Sequence, residues 1–162
     1  MRLERLVLCL VASMLPIAAL AGPGGTSCAT AEQISQGATY QGDTSAPGYG
    51  NPIGGMGPLP SPANDAIYFL VAGTVTGPVT MVSASYNFGI FLVPDCQPAT
   101  SPPIQAATGP TTPQSFPLTG LTDGTTYYVI VSGNPADQSA PEGTFTFSTP
   151  ITPVELQSFE ID

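Results

Sequence analysis

The stretch LTDGTTYYVIVSG, residues 121–133, is the most strongly patterned part of the sequence. An Asp-Gly turn precedes two adjacent tyrosines, and the aliphatic run that follows stops at a glycine. Short runs of aromatic and β-branched residues between turn residues are typical of buried β-strands. Because side chains alternate between the faces of a strand, we expect Tyr127, Val129 and Val131 on one face and Tyr128 on the reverse.

Similar runs recur through the rest of the chain. They cover residues 37–45, 66–72, 78–84, 87–93, 115–121 and 143–149. No amphipathic helix separates them, so the pattern predicts an all-β fold, an antiparallel β-sandwich of seven to eight strands. Alternation places six residues in its core: Phe88, Ile90, Val129, Val131, Phe145 and Phe147.

Three segments between these runs have other patterns. Residues 28–36 are compatible with one short helical turn. Residues 46–65 and 96–114 are rich in proline, with glycine in the first and threonine in the second, which predicts two long surface loops.

The N-terminus has the pattern of an export signal. Arg2 and Arg5 precede an apolar run that ends in Ala19-Leu20-Ala21, an A-x-A cleavage motif. We expect a signal peptide over residues 1–21, a sandwich domain over 22–150 and a C-terminal tail over 151–162. No apolar run of 18 residues follows, so no transmembrane anchor is expected. The sequence thus predicts a secreted protein, extracellular or at the cell surface, by bacterial export.

Removal of the signal would leave a strongly acidic protein. The chain contains no lysine and no histidine, and both arginines lie in the signal. Ten of the eleven acidic residues would remain, giving a net charge of about −10. Nucleic acid is excluded as a partner, because binding to phosphates requires Lys or Arg. Without His or Lys, Ser-His, Cys-His and Ser-Lys catalysis has no base, so no enzyme and no catalytic residue is expected.

Two cysteines, Cys28 and Cys96, would remain after the signal is removed. An even number of cysteines in an exported chain favours a disulfide. Two free thiols are the alternative.

The order of three segments resembles bacterial pre-peptidase C-terminal domains. They are CATAEQISQGATYQGDTS (28–45), NDAIYFLVAGTVTGPVTMVSASYNFGIFLVPDC (64–96), and GTTYYVIVSG (124–133) followed by EGTFTFS (142–148). The resemblance implies a jelly-roll-like, non-catalytic accessory module, of which some members bind matrix polymers or calcium. Two features depart from that family, since no peptidase domain is present and residues 97–114 contain no Asp or Glu.

A shorter stretch, residues 121–131, is similar to the tyrosine-corner strand of fibronectin type III domains. The similarity implies that the Tyr127 ring lies in the core with its hydroxyl on nearby backbone. Tyr128 should lie on the outer face or under a loop. We interpret Tyr127, Tyr128, Phe145 and Phe147 as structural; an exposed aromatic platform for a ligand is the alternative for the tyrosine pair.

Calcium is the only cofactor that the sequence suggests. Asp43, Asn64 and Asp65 flank the first long loop and carry the oxygen ligands that calcium prefers. The alternative is that Asp43 and Asp65 bond only to local backbone, as Asp does in turns.

Two functions fit these observations. The first is a secreted, non-catalytic module for binding or adhesion at the cell surface or matrix, with a polysaccharide or protein ligand. The alternative is a structural subunit of an extracellular matrix or filament. Such a subunit would self-associate through sheet edges or through the tail, which carries Val154, Leu156, Phe159 and Ile161.

Overall fold

The computed structural model describes residues 20–53, 55–56, 59–60, 63–96, 102–137, 139 and 141–151. Within these ranges the chain forms twelve β-strands and one 3-10 helix, η1 (Cys28–Thr30), and no α-helix. Four strands have two residues each: β1 (Leu20–Ala21), β2 (Glu32–Gln33), β4 (Gly55–Met56) and β5 (Leu59–Pro60). The longer strands are β3 (Thr39–Asp43), β6 (Ala66–Val71), β7 (Val79–Ala84), β8 (Phe88–Val93), β9 (Gln105–Gly109), β10 (Gln114–Phe116), β11 (Thr126–Gly133) and β12 (Thr144–Ser148).

Ten of these strands form two five-stranded sheets that pack against each other. Sheet A has the order β1-β3-β12-β7-β10 and sheet B the order β2-β6-β11-β8-β9, while β4 and β5 form a separate ribbon. All pairings among the eight longer strands are antiparallel. Counted in chain order, these eight run first-eighth-third-sixth in one sheet and second-seventh-fourth-fifth in the other, which is the order of a jelly roll. The predicted antiparallel, jelly-roll-like sandwich is therefore confirmed.

The core between the sheets is built around stacked aromatic rings. The ring of Phe147 in β12 stacks on Tyr40 of β3, with 4.8 Å between centroids. It also meets Tyr68 of β6 edge-on at 4.9 Å, so this one side chain joins the two sheets. The six residues predicted to face the core are all buried: Phe88, Ile90, Val129, Val131, Phe145 and Phe147.

Sheet B is buried on its outer face as well. A second cluster there comprises Ile53, Ile67, Phe91, Val93, Cys96 and Ile130. The predicted disulfide is confirmed and packs into this cluster; it joins Cys28 in η1 to Cys96 just after β8, with 5.7 Å between the Cα atoms. Burial on both faces explains why β6 and β8 are nearly unbroken apolar runs in the sequence.

The prediction that residues 96–114 form only a loop is wrong. Residues 105–109 form β9, which pairs with β8 in a register that aligns Ala107 with Ile90. The segment QAATG has little intrinsic preference for a strand, and its pairing with the edge of sheet B decides its conformation.

Residues 46–65, also predicted to be a surface loop, are partly built into the fold. They contain the β4–β5 ribbon, and Ile53 is buried against the outer face of sheet B. We call residues 46–65 the covering loop. The expected helical turn in residues 28–36 is reduced to η1, because residues 32–33 pair instead with β6.

The two chain ends lie mostly outside the described residues, namely residues 1–19 of the expected signal and residues 152–162 of the tail. The last two residues of the expected signal form β1, which runs parallel to β3 with Ala21 opposite Tyr40. Among the described residues, no helix has the length and apolar character needed to cross a bilayer.

The position of Phe147 leads to a stability prediction. Phe147→Ala should lower the free energy of unfolding by about 3–5 kcal/mol, because the cavity would lie between the two sheets. Denaturant unfolding of the purified domain measures the change. Val82→Ala in β7 is the control; its side chain is 47% exposed, so the loss should stay near 0.5 kcal/mol or less. Equal losses for the two variants would contradict this description of the core.

Candidate functional site

Polar and acidic side chains gather at one end of the sandwich. Strands β3, β7 and β11 end there, and β6, β8 and β12 begin there, as their antiparallel registers require. Four of the acidic residues in the described part of the chain lie in the segments next to these strand ends. We call this region the acidic end and define it by seven residues: Asp43, Asn64, Asp65, Asn87, Asn134, Asp137 and Glu142.

Asp43 terminates β3 and holds its own turn. Its Oδ1 accepts the Ser45 backbone N–H at 2.9 Å and the Ser45 hydroxyl at 2.5 Å. Asp is common at this position of a turn because its short side chain reaches the backbone two residues later. Asp43 is half-buried, so part of its carboxylate faces solvent.

Asn64 connects the covering loop to two other segments. Its Nδ2 donates to the Thr44 carbonyl at 3.0 Å, and its backbone N–H donates to Glu142 Oε1 at 3.3 Å. The Thr44 hydroxyl accepts the Gly143 N–H at 3.1 Å. These bonds fix the end of β3, the start of β6 and the start of β12 relative to one another.

Asp65 is the last residue of the covering loop and is buried, with 1% of its surface exposed. Its Oδ2 accepts the Ile53 N–H at 3.2 Å, and its own N–H donates to the Gly50 carbonyl at 2.8 Å. Its Oδ1 has no hydrogen-bond partner among the residues that the structure describes. Burial raises the pKa of this carboxyl to about 6, while Ser132 and the Ile53 N–H partly oppose the change.

Tyr86 lies between the carboxylates of the acidic end. Burial raises the pKa of its phenol; the Thr44 side chain opposes this, and the charges of Asp43, Asp65 and Glu142 add to it. Its hydroxyl is buried and has no hydrogen-bond partner within the described ranges. The phenol therefore stays protonated at physiological pH and is not available as a base.

A second group of polar side chains joins two turns at the same end. Asn87 Nδ2 donates to Asp137 Oδ2 at 3.2 Å, and Asn134 Nδ2 donates to Asn87 Oδ1 at 3.1 Å. Hydrogen bonds from Ser139 and from Asn87 lower the pKa of Asp137. Asp137 is thus an ionised acceptor on the surface of the acidic end.

In this geometry the three residues expected to bind calcium do not form a set of ligands around one point. Asp43 accepts the Ser45 N–H two residues later, Asp65 accepts the Ile53 N–H twelve residues away, and Asn64 donates its Nδ2 to the Thr44 carbonyl. In the part of the chain that the structure describes, no three His, Cys, Asp or Glu residues are grouped so that they could hold a metal ion. Calcium binding by Asp43, Asn64 and Asp65 stays a prediction.

The tyrosine pair has a structural position. Tyr127 is 8% exposed, its ring lies in the core, and its hydroxyl accepts the Thr122 N–H at 3.1 Å. Tyr128 points to the other face and packs against the outer cluster of sheet B. Neither ring forms an exposed platform.

Sequence reasoning missed Tyr86, Asn87 and Asn134. They lie in turns that carry no motif, and their neighbours are up to about fifty residues away in the chain. Asx residues next to predicted strand ends were the only available signal.

The comparisons do not assign the chain to a family: no family model and no curated protein matches it. The fold and the site define an all-β jelly-roll sandwich with a polar, acidic end. The resemblance to pre-peptidase C-terminal domains stays a prediction.

The burial of Asp65 leads to a pH prediction. Its pKa is higher in the folded than in the unfolded chain, so the folded state binds the proton more tightly. Its contribution to stability should therefore fall by about 2 kcal/mol as pH rises from about 4 to about 7. Unfolding free energies of the wild type and Asp65→Asn, measured across this range in the presence of a chelator, test the effect.

The variant should lack this fall, because its amide does not titrate. Asp123→Asn is the matched control, since it removes an exposed carboxylate from the opposite end of the sandwich. Identical pH profiles for the wild type and Asp65→Asn would show that Asp65 does not titrate as described.

Proposed function

We propose that this protein is a secreted, non-catalytic β-sandwich module that binds a polysaccharide or a protein at the cell surface or in the matrix. The observation that carries the proposal is the acidic end. Several separate segments converge there, fixed by the hydrogen bonds of Asn64, Thr44 and Asn87. Segments held by a rigid scaffold are where binding residues are most often found.

The chemistry of the acidic end limits the ligand. Asp43, Asp137 and Glu142 are half-exposed and offer carboxylate oxygens as acceptors. Sugar hydroxyls and the cationic side chains of a protein are donors that match them. Sulfated and phosphorylated polymers are disfavoured, because charges of the same sign repel at this surface.

A non-catalytic role is supported by the placement of the groups with raised pKa values. Burial raises the pKa of Asp65 in the acidic end and of Tyr86 next to it. Asp65 is 1% exposed, where a substrate does not reach it. General acid catalysis requires direct access to the reacting atom.

Export is supported by the disulfide. Bonds such as Cys28–Cys96 persist in oxidising compartments outside the cytosol. The signal pattern of residues 1–21 agrees with this location.

An array of glycans and matrix proteins, probed with residues 22–162, tests the proposal. The doubly substituted variant Asp137→Asn, Glu142→Gln should bind the selected ligand at least about tenfold more weakly, because it replaces two charged acceptors of the acidic end by neutral amides. The doubly substituted variant Asp95→Asn, Asp123→Asn removes the same charge at the opposite end and should bind within about twofold of the wild type. No ligand on the array, or equal losses in both variants, would refute binding through the acidic end.

One observation favours the alternative, an assembling structural subunit. Among the described residues, the strand that pairs with the outer edge of β3 in sheet A is β1, whose two residues belong to the expected signal. Removal of β1 would leave the five-residue strand β3 as an open edge. Open edges accept a further strand through backbone hydrogen bonds.

Light scattering after size-exclusion chromatography tests that alternative. If the protein assembles, raising the salt concentration should promote association, because screening reduces the repulsion between acidic copies. Deletion of residues 153–162 should abolish association if the tail supplies the added strand. A monomer at every salt concentration, with and without the tail, excludes assembly.

A further inference from the structure

The carboxylate of Glu32 holds the backbone at the start of the expected mature chain. Glu32 lies in β2 at the edge of sheet B. Its Oε1 accepts the Gly22 N–H at 2.7 Å, and its Oε2 accepts the Gly24 N–H at 3.1 Å. One carboxylate therefore binds two backbone nitrogens immediately after the expected cleavage point.

The residues that follow Gly22 have their own bonds to the sandwich. The Gly25 N–H and carbonyl bond to the carbonyl and N–H of Ile67, at 2.8 and 2.9 Å. The Tyr49 hydroxyl donates to the Pro23 carbonyl at 2.8 Å. Residues 23–25 are thus anchored to the sandwich and stay in place when residues 1–21 are removed.

Gly24 is required for this path. Its φ of +85° is unfavourable for other residues, and an added Cβ would lie 2.7 Å from the ring of Tyr68. Residues 22–25 therefore pass close over the Tyr68 ring, and this path places the Gly22 nitrogen beside the Glu32 carboxylate.

We propose that Glu32 is a built-in receptor for the mature N-terminus, the α-ammonium of Gly22. Hydrolysis of the Ala21–Gly22 bond adds water, whose hydroxyl goes to the Ala21 carbonyl carbon and whose hydrogen goes to the Gly22 nitrogen. The amine then takes up a proton and becomes an ammonium. The hydrogen bond that the neutral amide donates at 2.7 Å thereby becomes an ion pair in which donor and acceptor are both charged, which is stronger in general.

This ion pair is unique in the mature chain. Residues 22–162 contain no Lys, Arg or His, so the terminal ammonium is their only cation. Glu32 acts electrostatically on three phenols of the neighbouring segments, those of Tyr40, Tyr49 and Tyr68. Burial is the main cause that raises the pKa of each, so all three are neutral and the Glu32 charge is left for the ammonium. Asp43 acts on Tyr49 and adds negative charge nearby.

Cleavage thereby exchanges one attachment for another. It removes β1, which pairs with β3 and packs Ala21 against the core. In return it creates the Gly22–Glu32 ion pair at the edge of sheet B. The exchange depends on the expected cleavage after Ala21 and is independent of what the acidic end binds.

The absence of lysine gives a selective experiment. In the mature protein Gly22 carries the only primary amine, so an acylating reagent reports on this group alone. Terminal sequencing of the exported protein comes first, and a terminus other than Gly22 overturns the proposal. The labelling rate of the folded wild type is then compared with that of Glu32→Gln, near neutral pH.

We expect labelling about tenfold slower in the wild type, which corresponds to an increase of one unit in the pKa of the amine. Glu142→Gln is the matched control, because it removes the same charge and keeps an acceptor for the Asn64 N–H. Its rate should equal that of the wild type. Equal rates in the wild type and Glu32→Gln overturn the proposal.

A second variant tests the proposal even if Glu32→Gln fails to fold. A single alanine added before Gly22 leaves Glu32 intact and moves the ammonium away from it, so its amine should react as fast as that of Glu32→Gln. A second measurement compares the melting temperatures of the wild type and its N-acetylated form. The difference between them should fall as pH rises through the folded pKa of the amine, because only the protonated amine stabilises the folded state. A slow rate in the extended protein, or no such fall, overturns the proposal.

Discussion

A domain whose residues 22–162 contain no basic side chain has to be held by apolar burial and backbone hydrogen bonds. Side-chain ion pairs, the usual supplement, are unavailable to it. Much of the stability therefore comes from the contact between the two sheets, where Phe147 stacks on Tyr40 and contacts Tyr68 edge-on. The disulfide from Cys28 to Cys96 adds a covalent tie on the outer face of sheet B.

The same constraint explains how the carboxylates are accommodated. With no cation to pair with, Asp43 and Asp137 accept hydrogen bonds from serines two residues later, and Glu142 accepts the Asn64 N–H. Asp65 is the exception, because it is buried and one of its oxygens has no partner among the described residues. Asp65 holds the covering loop by accepting the Ile53 N–H, and its burial costs desolvation free energy. The raised pKa of Asp65 reflects that cost.

The terminal ammonium is the one cation that such a chain can still produce. In the proposal above, its position beside Glu32 follows from the path of residues 22–25 over Tyr68, and that path needs glycine at position 24. Cleavage after Ala21, as expected from the sequence, would then couple chemical processing to the packing of the new terminus.

The sequence by itself determined the fold class and the core alternation around Val129, Val131 and Phe147, and it favoured the Cys28–Cys96 pair. These are local patterns, or follow from the two cysteines outside the expected signal. The strand β9 and the two-residue strand β2 were decided only by the tertiary structure, because their segments have weak intrinsic preferences and are ordered by sheet edges. The acidic end was likewise decided by topology. Its residues are brought together by antiparallel strands that all turn at one end, a long-range arrangement that no local pattern encodes.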